Sequence, residues 1–177
     1  MHDTGCKSTD LAEVAIQTRK HAQNNPAAWF QGHELTLEEH QSSRLICDPL
    51  HLFDCCMETD GGCAFVVTTP ERARDLAKPA AIIRGVAQGS CDDQESMTSF
   101  YRGNIAVLPE MELVAKQVYE MSGLGPDDLD AAVIYDAFSS IVLFQLEGFG
   151  LCAPGEAKDF VKGGNLGLGG RLPTNTH

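Results

Sequence analysis

Nowhere does the sequence run for the roughly 18 consecutive apolar residues that a membrane-spanning helix needs. The first six residues, Met1-His2-Asp3-Thr4-Gly5-Cys6, have neither the basic nor the apolar region of a secretory leader. No Ser-Lys-Leu address closes the chain. These absences predict a cytoplasmic protein with no membrane partner. Cations are scarce too: 13 Lys and Arg stand against 25 Asp and Glu, for a formal net charge of −12. Nucleic-acid binding needs clustered Lys and Arg to neutralise phosphates, so that class of partner is excluded. The seven cysteines contain no C-x-x-C pair, and the histidines do not sit at zinc-ligand offsets, so no metal site is expected. An odd count placed in apolar runs predicts small buried thiols in a reducing compartment. Ser139-Ser140 lacks the G-x-S-x-G elbow, which leaves serine-hydrolase chemistry little support.

What is present fits a soluble α/β chain, 43% hydrophobic and 21% charged. Ser8-Thr9-Asp10 offers caps for a helix with Leu11, Val14, Ala15 and Thr18 on one face, fading near Asn24-Asn25-Pro26. Residues 26–34, with Trp29 and Phe30, read as an aromatic-anchored loop. Thr36-Leu37-Glu38-Glu39 fits a capping box that opens a short helix. A connector with a Pro turn covers residues 44–54. Buried strands are predicted at residues 63–68 and 80–87, separated by a short helix with Pro70 in its first turn. Residues 88–109 are polar and irregular. Met111, Val114, Val118 and Met121 recur at helical spacing, which predicts a helix over residues 110–121 closed by Gly123.

The most informative stretch follows an acidic turn after Gly125-Pro126. Residues 131–135 form a short apolar run of the kind buried on both faces as a strand. Residues 141–147 read as an amphipathic helix that Gly148 and Gly150 end. Tyr135 and Asp136 then fall where a buried strand turns into a helix, the edge at which open α/β sheets bind ligands. An ordinary strand-end tyrosine with its hydroxyl in water is the plainer alternative. Asp136 reads as the helix N-cap. The glycine-rich residues 163–170 fit neither G-x-G-x-x-G nor the P-loop and predict a tight hairpin or loop. Cys55-Cys56 sits beside Asp54 and Glu58, a setting that favours packing over nucleophilic catalysis. His21, His33, His40 and His51 receive no role; His177, beside the glycine-rich loop, remains of interest.

Several stretches together resemble the thiolase superfamily, in particular its branch of sterol-carrier-protein-type thiolases and actinobacterial lipid-transfer protein (Ltp-like) homologues. They are Asn25-Pro26 with the aromatic loop, Thr36-Leu37-Glu38-Glu39, Asp54-Cys55-Cys56-Met57-Glu58-Thr59-Asp60-Gly61-Gly62-Cys63-Ala64, and Leu108-Pro109-Glu110-Met111. Tyr135-Asp136-Ala137-Phe138, Gly155-Glu156-Ala157-Lys158-Asp159-Phe160 and Gly169-Gly170-Arg171-Leu172-Pro173-Thr174-Asn175-Thr176-His177 complete the set. The resemblance implies a layered α/β thiolase fold. Residues 1–89 would be the C-terminal portion of its first half and residues 90–177 the N-terminal portion of its second, so that the chain is expected to be a fragment. The family's nucleophilic cysteine would lie upstream of Met1, and none of the cysteines here inherits its role.

Tyr135-Asp136-Ala137-Phe138 stands where biosynthetic and degradative thiolases carry an Asn-Glu-Ala-Phe-type motif. Sterol-carrier-type thiolases have His at its first position, whereas lipid-transfer homologues have Tyr, as here. The resemblance also implies Gly-Gly and then a second tyrosine shortly after His177, replacing the histidine of a Gly-His-Pro motif. Tyr135 and His177 are therefore the candidate catalytic residues. A phenol whose ordinary pKa near 10 is lowered by its neighbours can serve as acid or base. The implied activity is C–C cleavage or acyl transfer on acyl-CoA thioesters in lipid or steroid side-chain metabolism, releasing propanoyl-CoA. Two alternatives stay open: a retro-aldol lyase of a steroid-CoA side chain, and an inactive fragment or lipid-binding module. No bound cofactor is expected, coenzyme A entering as the substrate's thioester. A homodimer and a zinc-ribbon/OB-fold (DUF35-type) partner are implied by family alone.

Overall fold

The computed structural model describes residues 1–92, 102–104 and 106–177. Parts of the irregular stretch expected at 88–109, residues 93–101 and 105, lie outside the described residues.

Helix α1 (Ser8–Ala22) begins one residue earlier than its expected caps: Lys7 is the N-cap, and its N–H donates to the Asp10 carboxylate at 2.8 Å. Leu11 and Val14 carry the buried face of α1. Lys162 Nζ lies 3.2 Å from the Asp10 carboxylate and ties the start of α1 to the tail. Helix α2 (Leu37–Ser42) has the predicted capping box, with Glu39 N–H donating to Thr36 Oγ1 at 3.2 Å and Thr36 N–H to Glu39 Oε2 at 2.8 Å. The expected connector is more regular than its sequence suggests. Strands β1 (Leu45–Cys47) and β2 (Leu50–His51) pair antiparallel across the cis Asp48-Pro49 peptide, and a 3₁₀ turn, Leu52–Asp54, follows. Helix α3 (Pro70–Arg74) has Pro70 in its first turn, with the Thr69 hydroxyl accepting from Arg72 N–H. Helix α4 (Pro109–Ser122) closes at Gly123 as expected. Of its predicted apolar face, Met121 is exposed, and the buried positions are Glu110 and Ala115.

The expected strands did not form. Residues 63–68 and 80–87 have no strand pairing among the described residues, and Phe65, Val66 and Ile82 are exposed. Residues 131–135 are not buried on both faces: Ile134 is 6% exposed, whereas Val133 and Tyr135 point to solvent. A helix satisfies its hydrogen bonds internally, while a strand needs a neighbour. At 131–135 that neighbour is the tail, through a parallel bridge between Ala132 and Thr174.

The core gathers around α5 (Ser139–Gly148), joined by α1, α6 (Ala157–Phe160), Ile134, Leu166 and Leu172. Val142 and Leu146 are fully buried, and Gln145 and Ser139 are buried too, so α5 is inside nearly all round rather than amphipathic. It ends in a Schellman motif: Leu151 N–H donates to Leu146 O and Gly150 N–H to Glu147 O, with Gly150 at φ +68°. Residues 163–170 form successive turns rather than a hairpin. A Cβ on Gly170 would meet the Gly164 carbonyl oxygen at 2.3 Å, so only glycine fits that approach.

Candidate active site

Three segments converge at the N-terminal end of α5. The first leaves the 3₁₀ turn at Asp54, and Cys55 bridges antiparallel to Phe138 while Cys56 N–H donates to the Ala137 carbonyl at 2.9 Å. The second is the run 132–138 itself. The third is the tail, where Ala132 N–H donates to Pro173 O at 2.9 Å and Asn175 N–H to Ala132 O at 3.0 Å. Helix α5 begins with its backbone uncapped by any side chain: Phe138 occupies the N-cap position. Asp136 is therefore not the cap. It lies two residues too early, and its carboxylate accepts from Asn175 Nδ2 at 3.2 Å instead.

Tyr135 sits on the second segment with 69% of its surface exposed. Its carbonyl accepts from Gln145 Nε2 at 2.6 Å. His177 is exposed at the end of the tail. Strand-like pairing of 132 with 173–175 thus brings the backbones carrying the two candidate residues to one edge.

Beside this edge opens a cavity of about 400 Å³. Val14, Ala15, Leu35, Leu52 and Phe53 give it apolar walls, and Asp54, Cys55, Cys56, Asp136 and Ser139 line it next to α5. Arg19 contributes a cation, its guanidinium stacked 3.7 Å from the Phe30 ring centroid and donating to His33 O at 3.2 Å. Phe30 therefore anchors the 26–34 loop, while Trp29 stays exposed.

The thiols do not follow the buried-thiol expectation, for Cys47, Cys56 and Cys63 are exposed and the other four half-buried. The electrostatics of Cys55 and Cys152 disfavour the nucleophilic form all the same. Burial, reinforced by Asp54, pushes the Cys55 thiol up. Burial with Glu147 and Glu156 pushes Cys152 up to about 12. Nucleophilic thiols need the opposite environment. No cluster of three or more metal-ligating side chains occurs among the described residues, nor does any described helix have the length and apolarity to cross a membrane.

Two features escaped the sequence reading. His40, given no role, is fully buried, with Nε2 3.0 Å from the carboxylate of equally buried Asp54, whose other oxygen accepts from His51 N–H at 2.8 Å. This pair anchors the segment leading to Cys55. Asn175 is buried at φ +52° and bonds on both sides of Tyr135. Asn in a Thr-Asn-Thr context is a residue that tolerates left-handed backbone, and that was the one available signal.

An all-round buried helix receiving strand-like segments at its N-terminal end defines a partial layered α/β domain. Residues 92–177 match the family model described as thiolase C-terminal domain-like. A solved structure described as an Ltp2-ChsH2(DUF35) aldolase superposes with a TM-score of 0.96 at 58% identity, covering all of this chain and 46% of that one. A steroid side-chain-cleaving aldolase of Thermomonospora curvata is 58% identical over 177 residues, which are 100% of this chain and 45% of the relative. A 17-hydroxy-3-oxo-4-pregnene-20-carboxyl-CoA lyase of Mycobacterium tuberculosis is 51% identical over the same 177 residues, 46% of its own length. Residues 92–177 belong to the thiolase C-terminal domain-like family, and the whole chain is similar to a steroid side-chain-cleaving aldolase and to sterol carrier protein 2. It spans about half the length of the relatives it matches.

Proposed function

We propose that the protein is a lyase that cleaves a C–C bond in the side chain of a steroid-CoA thioester by a retro-aldol reaction. The observation that carries this reading is the 58% identity, over every residue of the chain, to a steroid side-chain-cleaving aldolase. A 17-hydroxy-3-oxo-4-pregnene-20-carboxyl-CoA is the proposed substrate, after the lyase that is 51% identical. Its 17-hydroxyl is β to the thioester carbonyl. A base removes the hydroxyl proton, the C17 carbonyl forms, and the C17–C20 bonding pair moves into the thioester as an enolate. An acid then returns a proton to C20 and releases propanoyl-CoA. Tyr135 is one of the two proton-transfer groups, and the exposure of its side chain supports that role. His177, at the same edge, is the second candidate within this chain. Residues 1–89 and 90–177 belong to the two thiolase-like halves, and the active form is a cytoplasmic dimer with a DUF35-type partner. The solved aldolase, whose description pairs it with such a partner, supports that assembly.

The test is turnover of that steroid-CoA by the full-length protein with its partner. Tyr135→Phe is expected to lower kcat by roughly 10²–10⁴, the usual contribution of a positioned acid or base, with the circular dichroism unchanged. Full turnover by the variant sinks the assignment. Cleavage that requires added free CoA marks thiolysis and acyl transfer instead.

A further inference from the structure

Tyr135 combines an exposed side chain with a backbone held on both flanks. The carboxamide of Asn175 does most of the holding. Its Oδ1 accepts from Ile134 N–H at 2.8 Å, and its Nδ2 donates to Ile134 O at 2.8 Å and to Asp136 Oδ2 at 3.2 Å. Donor and acceptor meet one residue's N–H and C=O, a task that two successive peptides share in a parallel strand. The side chain can reach back this way because Asn175 is left-handed, at φ +52°, the one non-glycine residue with positive φ among the described residues.

Two further buried amide and imidazole groups complete the clamp. Gln145, on α5, donates to the Tyr135 carbonyl at 2.6 Å. His21, on α1, lies with Nδ1 3.2 Å from the Asn175 carbonyl, while Gln17 Nε2 is 3.1 Å from His21 Nε2. An amide nitrogen only donates, so His21 accepts at Nε2, and its Nδ1–H donates to Asn175 O. His21, Gln145 and Asn175 are each no more than 5% exposed. Burying three polar side chains and straining one backbone is unfavourable unless every polar atom is satisfied. Here α5 and the tail converge on three consecutive residues centred on Tyr135, and α1 holds the tail through His21.

We infer that Asn175 and Gln145 are positioning residues for Tyr135, with His21 fixing Asn175 in turn. They hold the backbone so that the phenol stays free of packing contacts yet set in direction. The inference rests on the proposed role of Tyr135. Misplacing a reacting group by about 1 Å costs on the order of a hundredfold in rate.

Asn175→Gly keeps the left-handed backbone accessible and removes all three side-chain contacts. Gln145→Met keeps side-chain length and removes the donor to Tyr135 O, and it decides the matter should Asn175→Gly fail to fold. In the full-length protein with its partner, acting on 17-hydroxy-3-oxo-4-pregnene-20-carboxyl-CoA, each is expected to lower kcat by about tenfold to a hundredfold, with KM within about twofold. Placed on the Tyr135→Phe background, each is expected to lower the residual rate by less than about twofold, because it acts through the phenol. Unchanged kcat, or equal losses with and without the phenol, overturns the inference. Amide exchange at Ile134, faster in Asn175→Gly, reports the clamp without reference to catalysis. A Tyr135→Phe protein with full turnover and a normally protected Ile134 amide therefore removes the role of Tyr135 while leaving the clamp intact.

Discussion

Residues 57–89 and residues 129–176 are alike in apolar content and opposite in fate. Cys63-Ala64-Phe65-Val66-Val67 and Ile141-Val142-Leu143-Phe144 are both runs that hydrophobicity alone would bury. Val66 is nonetheless 93% exposed, while Val142 is fully buried. The difference lies in who supplies the hydrogen bonds. Residues 139–148 close their own as a helix and are free to pack Val142, Leu143 and Leu146 into the core with α1, α6 and the tail. Residues 63–68 are β-branched and aromatic, suited to a pleated surface, and no described segment pairs with them. An apolar run specifies burial only once its backbone has partners.

The largest effect that tests this contrast is a pair of truncations in the 177-residue chain. Leu146→Ala, at a fully buried site, is expected to cost about 2–5 kcal/mol. Val66→Ala is expected to fall within about 0.5 kcal/mol of the parent. Urea unfolding followed by circular dichroism reads both. Comparable losses at the two positions break the contrast, because Val66 must then be packed in solution.

A smaller effect separates the regions by backbone rather than by side chain. Gly150→Ala places a Cβ at φ +68° with nothing within 4 Å, so strain alone acts, and a loss of about 1 kcal/mol is expected. Gly62→Ala, where φ is not left-handed and nothing lies within 4 Å, is expected to be neutral or stabilising by about 0.5 kcal/mol through the unfolded chain. Thermal unfolding of the two variants checks the sign of each. A destabilising Gly62→Ala would show that the 57–89 region is more tightly held than its exposure indicates.

The same division explains how much was legible in the sequence. The bodies of α1 to α5 were readable from caps, periodicity and proline because those signals are local. The strands at 63–68, 80–87 and 131–135 were misjudged because pairing is decided elsewhere in the chain. At the site, Tyr135 was singled out by its place between an apolar run and a helix, and that junction exists, although its pairing partner is the tail. Asp136 was misread as a cap, since the N-cap position falls two residues later, at Phe138. Asn175 offered only its tolerance of left-handed backbone as a signal, and His21 and the His40–Asp54 pair offered none. Each acts across more than ten residues of separation, and His21 meets Asn175 from 154 residues away.

The smallest effect concerns a segment that resembles neither region. Helix α2 is short and mostly exposed, as residues 57–89 are, yet it is ordered by its own side chains. The Thr36 backbone N–H and then its hydroxyl hold the Glu39 carboxyl below the usual carboxylate range. A carboxyl depressed in the folded state favours folding when ionised. Its contribution is thus complete above the unfolded value, near pH 4.3, and is lost as pH falls through the lower folded value. Thr36→Val removes the hydroxyl and keeps the N–H, so it is expected to raise the Glu39 pKa part of the way and to blunt the loss of α2 below about pH 4. Carboxyl chemical shifts of Glu39 followed from pH 6 to pH 2 measure the change. An unchanged Glu39 titration means that the capping box does not order α2, which is then held by His40 buried against Asp54.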